Sequence, residues 1–358
     1  MLYLNALNTI NGVGPQKIKI LMSYFGSGEK IWNSPLSELI SSGINEKLAQ
    51  TIITERNKIN PQIEWDKLAQ ENIQAISFFD DAYPTLLREI PSAPQILYIK
   101  GDYDFNSAPM IAIVGSRKFS SYGERVATSI AHDLAKAGLT VVSGLALGID
   151  TFAHKGALAG NGKTLAVLGS SLEDKNIGPR VNFNLSRHII SNGALVSDYP
   201  LATPAAPQTF PARNRLMAGL TLGTVVIEAA PASGTLITAS MALDFNREVF
   251  AVPGSIFSPS SQGTNQLIKS GAKIVTSVSD ILEELNLEKF QQKKVIQEFI
   301  PASKEEETIF KIISNEPTHI DRIIKLSKIS TSSVSSILII LEMKGIVKDI
   351  GGQNYVAI

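Results

Sequence analysis

Seven short apolar runs, rich in valine and isoleucine, punctuate the stretch from Met110 to Leu285, and segments of helical period separate them. The runs are Ile111–Val114, Thr140–Ser143, Thr164–Leu168, Ala194–Ser197, Thr224–Ile227, Glu248–Ala251 and Lys273–Thr276. A half-exposed strand alternates, so short runs that are apolar throughout read as strands buried on both faces. Such strands joined by helices give a doubly wound α/β fold around a mostly parallel sheet. Between the first two runs, Val126, Ile130 and Leu134 form a helical stripe, and Ser121 with Glu124 has the form of a capping box at its start. Ligands of these sheets lie outside the C-terminal strand ends, so the loops that follow the strands are where chemistry is expected.

The flanks are of another kind. Leu7 to Ile18 reads as a helix end, a Gly12-Val-Gly14 turn and a second helix, the form of a helix-hairpin-helix, with a weaker echo at Ser42-Gly43. Backbone amides of such a turn can hold a phosphate. Residues 1–108, however, carry nine basic against twelve acidic residues, which favours a structural or protein-binding role. Residues 1–75 are therefore assigned to a helical, helix-hairpin-helix or SAM-like domain, and 76–109, with Tyr83-Pro84, Pro91 and Pro94, to a connector into a sheet domain ending at 285. A polar linker follows at 286–304. Residues 305–358 read as helices at Glu305–Ser314, Thr318–Leu326 and Thr331–Lys344 and two strands around Gly351-Gly352, a winged helix. Its third helix offers Ser332, Ser333, Ser335 and Ser336, whereas readers of base edges use Arg, Asn or Gln. Partner docking or weak backbone contact suits it better than sequence-specific reading.

Composition narrows the chemistry. The 358 residues include no cysteine, which excludes disulfides, thiolate metal sites and cysteine nucleophiles, and the four histidines are widely separated. Neither a run of about 18 apolar residues nor a basic segment ahead of an apolar one is present, so a cytoplasmic protein without membrane association is expected. Basic and acidic residues number 33 each, yet residues 113–220 hold eleven basic against six acidic. That local excess suits an anionic polymer.

The loops supply candidates. Gly115-Ser116-Arg117 follows the first run, so that its amides, a helix start and a guanidinium could converge on a phosphate. Gly144 to Asp150 follows the second, with His154 and Lys155 two turns on. Phe210-Pro-Ala-Arg213-Asn214-Arg215 opens a helix, and Ser233-Gly234-Thr235 opens another. Plainer roles exist for several of them: Asp150 as a buried helix cap, His154 as a hydrogen-bonded packing residue, Arg213 and Arg215 as braces to Glu228 or Asp198. Gly162-Lys163-Thr164 imitates a phosphate loop but precedes a strand instead of following one. No nucleophile elbow, zinc-protease motif or dinucleotide fingerprint occurs.

Taken in order, Ile113-Val-Gly-Ser-Arg117 with Tyr122-Gly123, Ser143-Gly-Leu-Ala-Leu-Gly-Ile-Asp150, His154-Lys-Gly-Ala-Leu158, Phe210-Pro-Ala-Arg-Asn-Arg215, Glu228, Ser233-Gly-Thr-Leu-Ile-Thr-Ala239, Arg247 to Gly254 and Gly263 to Ile268 resemble the DNA-processing protein A family (DprA/Smf) across about 80–285. The chain departs from that pattern at Leu172-Glu-Asp174 through Pro179, where the family commonly has Leu-Asp and then Tyr-Pro.

The resemblance implies an extended Rossmann-like domain at 76–285 that binds single-stranded DNA without sequence preference, forms a homodimer, protects DNA taken up in natural transformation and helps load the RecA recombinase. Single-stranded-DNA-binding protein and other competence proteins are further possible partners. Neither catalysis, cofactor nor metal is implied. The DNA-binding residues expected are Gly115, Ser116, Arg117, Lys155, Phe210, Arg213, Asn214, Arg215, Ser233, Gly234 and Thr235. Two other classes stay open: a nucleotide or phosphoribosyl hydrolase on a similar fold, and a regulator acting through the winged helix.

Overall fold

The computed structural model describes residues 1–231, 233–288, 301–313, 318–344 and 346–357, which divide into two compact units, Met1–Ile281 and Leu282–Ile358. Residues 289–300 of the expected linker, and the expected end of a helix at Ser314, lie outside the described residues.

The first unit is built on nine strands: β1 (Gln74–Ser77), β2 (Ile96–Gly101), β3 (Met110–Val114), β4 (Thr140–Ser143), β5 (Thr164–Val167), β6 (Gly193–Ser197), β7 (Gly223–Val226), β8 (Glu248–Ala251) and β9 (Lys273–Ile274). All seven apolar runs are strands, β3 to β9. They pair in parallel in the order β6-β5-β4-β3-β7-β8-β9. Chain direction across the sheet reverses at β3, because β4 to β6 extend one way and β7 to β9 the other. The crevice outside the C-terminal ends of β3 and β7 is thus the topological switch point, where the loops at 115–120 and 227–234 part.

Two strands were not expected. The stretch assigned to a connector contributes β2, antiparallel to β6, and β1, antiparallel to β2, straddles its boundary with the helical segment. β2 has its own apolar run, Ile96–Ile99, just past the prolines that suggested a connector, and ends on Lys100 and Gly101. Lys100 is buried, donating to Asp174 Oδ1 at 2.9 Å and to the Leu172 carbonyl at 3.3 Å. That bond anchors the divergent 172–179 segment to the sheet. The same segment turns Glu173 inward, where it accepts from the Ser171 hydroxyl at 3.0 Å and from the Ala202 amide.

The N-terminal helices are not separate from the sheet. Leu4, Leu7, Ile18, Ile31, Leu39 and Ile52 share one hydrophobic cluster with Ile96, Tyr98, Leu168 and Leu195, so two sequence segments bury one core. Leu2–Asn8 and Pro15–Phe25 flank the Gly12-Val-Gly14 turn, in which Gly12 has φ +88°, a left-handed conformation that glycine adopts without strain. Tyr98 fastens the first helix: its hydroxyl donates to Asn5 Oδ1 at 2.8 Å and accepts from Asn8 Nδ2 at 3.1 Å.

The expected capping box starts one residue early. The helix Ser121–Lys136 is capped by Ser120, whose Oγ accepts from the Gly123 amide at 3.1 Å while donating to Glu228 Oε1 at 2.6 Å. A contact 108 residues away chooses between two adjacent serines.

The second unit holds helices Lys304–Ile312, Ile320–Ser327 and Thr331–Met343 around Ile309, Ile323, Val334, Leu338 and Leu341. Its sheet has three strands, in the order β10 (Thr318–His319), β12 (Asn354–Ala357), β11 (Val347–Asp349), one more than the sequence suggested. Ser330 caps the third helix by accepting from the Ser333 amide at 3.2 Å.

Substituting Tyr98→Phe removes the hydroxyl between Asn5 and Asn8 and leaves a buried amide oxygen without its donor. A loss of about 1–3 kcal/mol is expected, measured as a fall of several degrees in the melting temperature of the first unit.

Candidate nucleic-acid interface

At the switch point the structure opens a cleft of ≈ 750 Å³ lined by Gly115, Ser116, Arg117, Phe210, Arg213, Asn214, Ser233, Gly234 and Thr235. Nine of the eleven residues expected from sequence therefore meet in one place. Lys155 lines the neighbouring cleft instead. Arg215 faces the opposite side of its helix, toward the helix-hairpin-helix turn.

Meeting in one cleft does not give these residues one role. Arg117 is exposed and holds its guanidinium carbon 5.3 Å from the centre of the half-buried Phe210 ring. The cation is thereby positioned over an aromatic face and still open to an incoming anion. Arg213 is the opposite case. It is 4% exposed, and its Nη1 donates to the Gly144 carbonyl at 2.9 Å and to that of Val167, just past the end of β4 and at the end of β5. Arg215 is held by Asp198 and by the Ser92 carbonyl at 2.7 Å. Of three arginines expected to touch DNA, one offers its charge outward and two brace the fold.

The Gly115-Ser-Arg117 loop also differs from the expected amide cradle. The Ser116 amide is consumed by the Glu228 carbonyl at 2.8 Å, and the Ser116 carbonyl accepts from the Ile149 amide at 3.3 Å. A Cβ on Gly115 would lie 2.6 Å from the Ile149 side chain, so this glycine serves packing against the start of the helix Ile149–Ala159. Gly148 is more constrained still: its φ is +83°, and a Cβ would stand 2.4 Å from the Ser116 carbonyl oxygen. Across the cleft, Ser233 Oγ accepts from the Thr235 amide at 3.2 Å and donates to Thr235 Oγ1 at 3.0 Å, shaping the start of the helix Thr235–Asp244.

The groups most readily cast as acids or bases are spent internally. Glu228 is buried; it accepts from the Ser120 amide at 3.0 Å, the Ser120 hydroxyl at 2.6 Å and the Ser260 hydroxyl at 3.0 Å. Asp150 accepts from the amides of Gly144 at 3.1 Å and Ala146 at 3.3 Å. Burial raises its pKa, and the charge of Arg213 opposes that rise. Arg213 itself is pushed down to about 10, chiefly by desolvation. His154 is fully buried, with Nδ1 2.7 Å from Thr164 Oγ1. Desolvation, reinforced by Arg213, pushes it down to about 3. Among the described residues no group of three His, Asp or Glu could hold a metal ion.

Sequence reasoning missed Arg180 and the aromatic residues beyond Arg117. Exposed Arg180 lies 4.2 Å from the Phe183 ring centre, and Arg187 lies 5.2 Å from the same ring. Phe119 and Phe152 meet edge to face at 4.7 Å. The available signal was the interleaving of basic and aromatic residues, which ordinary packing also produces.

The neutral state of His154 has a pH signature. In the unfolded chain the imidazole takes up a proton below about 6.5, whereas in the fold it stays neutral to about 3. The unfolded state binds more protons in that window, so the stability contributed is full above about pH 6.5 and is lost as the pH falls. Wild-type protein should lose melting temperature more steeply than His154→Gln between about pH 7 and about pH 5, with the carboxylates titrating alike in both.

The comparisons agree with this architecture. A family model described as DNA recombination-mediator protein A matches residues 74–286, and one described as DprA winged helix domain matches 300–353. A protein named Smf from Synechocystis is 35% identical over 390 aligned positions, covering 99% of this chain and 98% of its own. The crystal structure of DNA processing protein A from Streptococcus pneumoniae superposes with a TM-score of 0.70 at 35% identity, over 79% of this chain and 98% of that one. A structure of the Helicobacter pylori protein, described as revealing a unique single-stranded DNA binding mode, covers 60% of this chain and 95% of its own at 28% identity and a TM-score of 0.54. With its sheet domain, its winged helix and nearly its whole length matched, the chain belongs to the DNA-processing protein A family (DprA/Smf).

Proposed function

We propose that this protein binds single-stranded DNA without sequence preference along the switch-point cleft, and that it acts there as a carrier, not a catalyst. The observation that carries the reading is Arg117, an exposed guanidinium poised over Phe210 at the mouth of a cleft whose acids and bases are all spent inside the fold. A sequence-indifferent binder needs cations for phosphates and flat faces for bases. Here Arg117 and Lys118 in the cleft and Lys155 in the neighbouring one provide the first, and Phe210 provides the second. Gly234, Thr235 and Asn214 line the cleft as hydrogen-bonding neighbours. The single-strand binding mode described for the Helicobacter pylori relative supports the same ligand.

From the family follow the wider proposals: protection of incoming DNA in natural transformation, a homodimer through the Rossmann-like domain, and delivery of the strand to the RecA recombinase in the cytoplasm. Among the described residues no single helix is long and apolar enough to cross a membrane. The hydrolase alternative requires a free carboxylate near the Ser233-Gly-Thr235 loop. Glu228, the nearest carboxylate in sequence, accepts three hydrogen bonds from Ser120 and Ser260, which argues against it.

Affinity for oligo-dT should fall steeply with salt, each neutralised phosphate adding about 0.7 to the log-log slope on a single strand. A flat titration by fluorescence anisotropy would contradict the cationic track. Arg117→Ala should weaken binding by about tenfold to a hundredfold, the equivalent of a charged hydrogen bond of roughly 1.5 to 3 kcal/mol, with the melting temperature nearly unchanged. A destabilised Arg117 variant of wild-type affinity would remove the phosphate role. Pure protein should turn over neither ATP, NAD nor nucleoside monophosphates, and turnover abolished by Glu228→Gln would restore the enzyme reading.

A further inference from the structure

Beside the switch-point cleft lies a second one, of ≈ 650 Å³, and Arg117 lines both. Its walls are apolar and open to solvent: Phe119 is 41% exposed, Leu147 47% and Val181 75%. Phe119 meets Phe152 edge to face at 4.7 Å, with the ring planes 74° apart. The rim is cationic. Lys155 lies 5.9 Å from the Phe152 ring centre, His188 and Asn184 add polar groups, and no Asp or Glu lines the cleft. Each cation shares an element with one ring. Arg117 and Phe119 are two residues apart on one loop, while Phe152 and Lys155 stand three apart on the helix Ile149–Ala159, a spacing that puts them on one face.

We propose that this cleft is a base-holding subsite, in which the Phe119–Phe152 pair receives one unstacked nucleobase of a strand whose phosphates pass over Arg117 and Lys155. The proposal rests on the single-strand reading and deepens it. A cation-rimmed apolar pocket without carboxylates suits a ligand that is anionic along one edge and flat and apolar at its centre, and a nucleotide within a strand has both features. Exposed aromatic and aliphatic side chains gathered at one concave place mark a binding site more often than a bare surface. Arg117 lines both clefts, so a strand held in the switch-point cleft has this pocket within reach. Stacking on an aromatic face is tolerant of base identity, so the subsite adds affinity without adding sequence preference.

The test compares the full chain with Phe119→Ala/Phe152→Ala on two oligomers of equal length, oligo-dT and an abasic deoxyribose-phosphate strand, by fluorescence anisotropy. Wild type should prefer oligo-dT, and the double variant should bind oligo-dT about tenfold more weakly while keeping its affinity for the abasic strand. A Phe119→Trp variant, which retains a ring, should show its indole emission quenched by oligo-dT and not by the abasic strand. The native Trp32 and Trp65, both in the helical N-terminal segment, provide the background. Unchanged oligo-dT affinity in the double variant overturns the subsite, as does equal loss on both strands with the melting temperature preserved. An indole that ignores oligo-dT overturns it too, and decides the matter alone where the double variant fails to fold. In each of those cases single-strand binding survives. If wild type binds neither strand, the single-strand reading fails and the subsite falls with it.

Discussion

One buried guanidinium organises the C-terminal edge of the sheet. Arg213 enters from the helix Thr209–Leu220 and spans the carbonyls of Gly144 and Val167, tying the loops after β4 and β5 to a helix that begins in the cleft. An arginine removed from water is tolerable only with hydrogen bonds and a nearby opposite charge, and Asp150, held by the amides of Gly144 and Ala146, is that charge. The consequence reaches His154, which the same cation helps keep neutral.

A second knot does for the other wall what Arg213 does for the first. Glu228 leaves the end of β7 and fixes Ser120 at the start of one helix and Ser260 on another loop, while its own carbonyl takes the Ser116 amide. Three loops are thereby set before any ligand arrives. Preorganisation of this kind reduces the ordering that binding requires. It also explains how a cleft rich in polar residues presents little acid or base to a substrate: polar groups that build the walls face inward, and the exposed ones are cations.

The N-terminal helices extend this economy to the far edge. They share a hydrophobic cluster with the sheet and grip Tyr98 in β2, and the Asn8 amide reaches the Asp198 carbonyl at 3.2 Å. Asp198 in turn holds Arg215. A chain of contacts therefore runs from the first helix to the helix carrying Phe210 and Arg213, so that a region with an acidic balance contributes to the cationic site by bracing it.

What the sequence determined by itself is the parallel part of the sheet and which loops meet in the candidate cleft. Short runs rich in valine and isoleucine, separated by segments of helical period, are a local signal, and all seven are strands, although the last, β9, lies exposed at the sheet edge instead of buried on both faces. Their helical connections dictate that ligands gather at the strand ends, and the glycine-rich and arginine-bearing loops announce where. β1 and β2 were hidden because one is a short edge strand and the other, Ile96–Gly101, follows Pro84, Pro91 and Pro94, which mark a connector; its Lys100 is tolerated inside the fold because groups distant in sequence neutralise it. The division of labour among arginines was hidden for the same reason. Arg117, Arg213 and Arg215 look alike in a sequence, yet whether a guanidinium faces water or two carbonyls depends on which strand ends the fold brings beneath it. Only tertiary structure could decide that, because burial is a property of the assembled chain, whereas periodicity belongs to each segment alone.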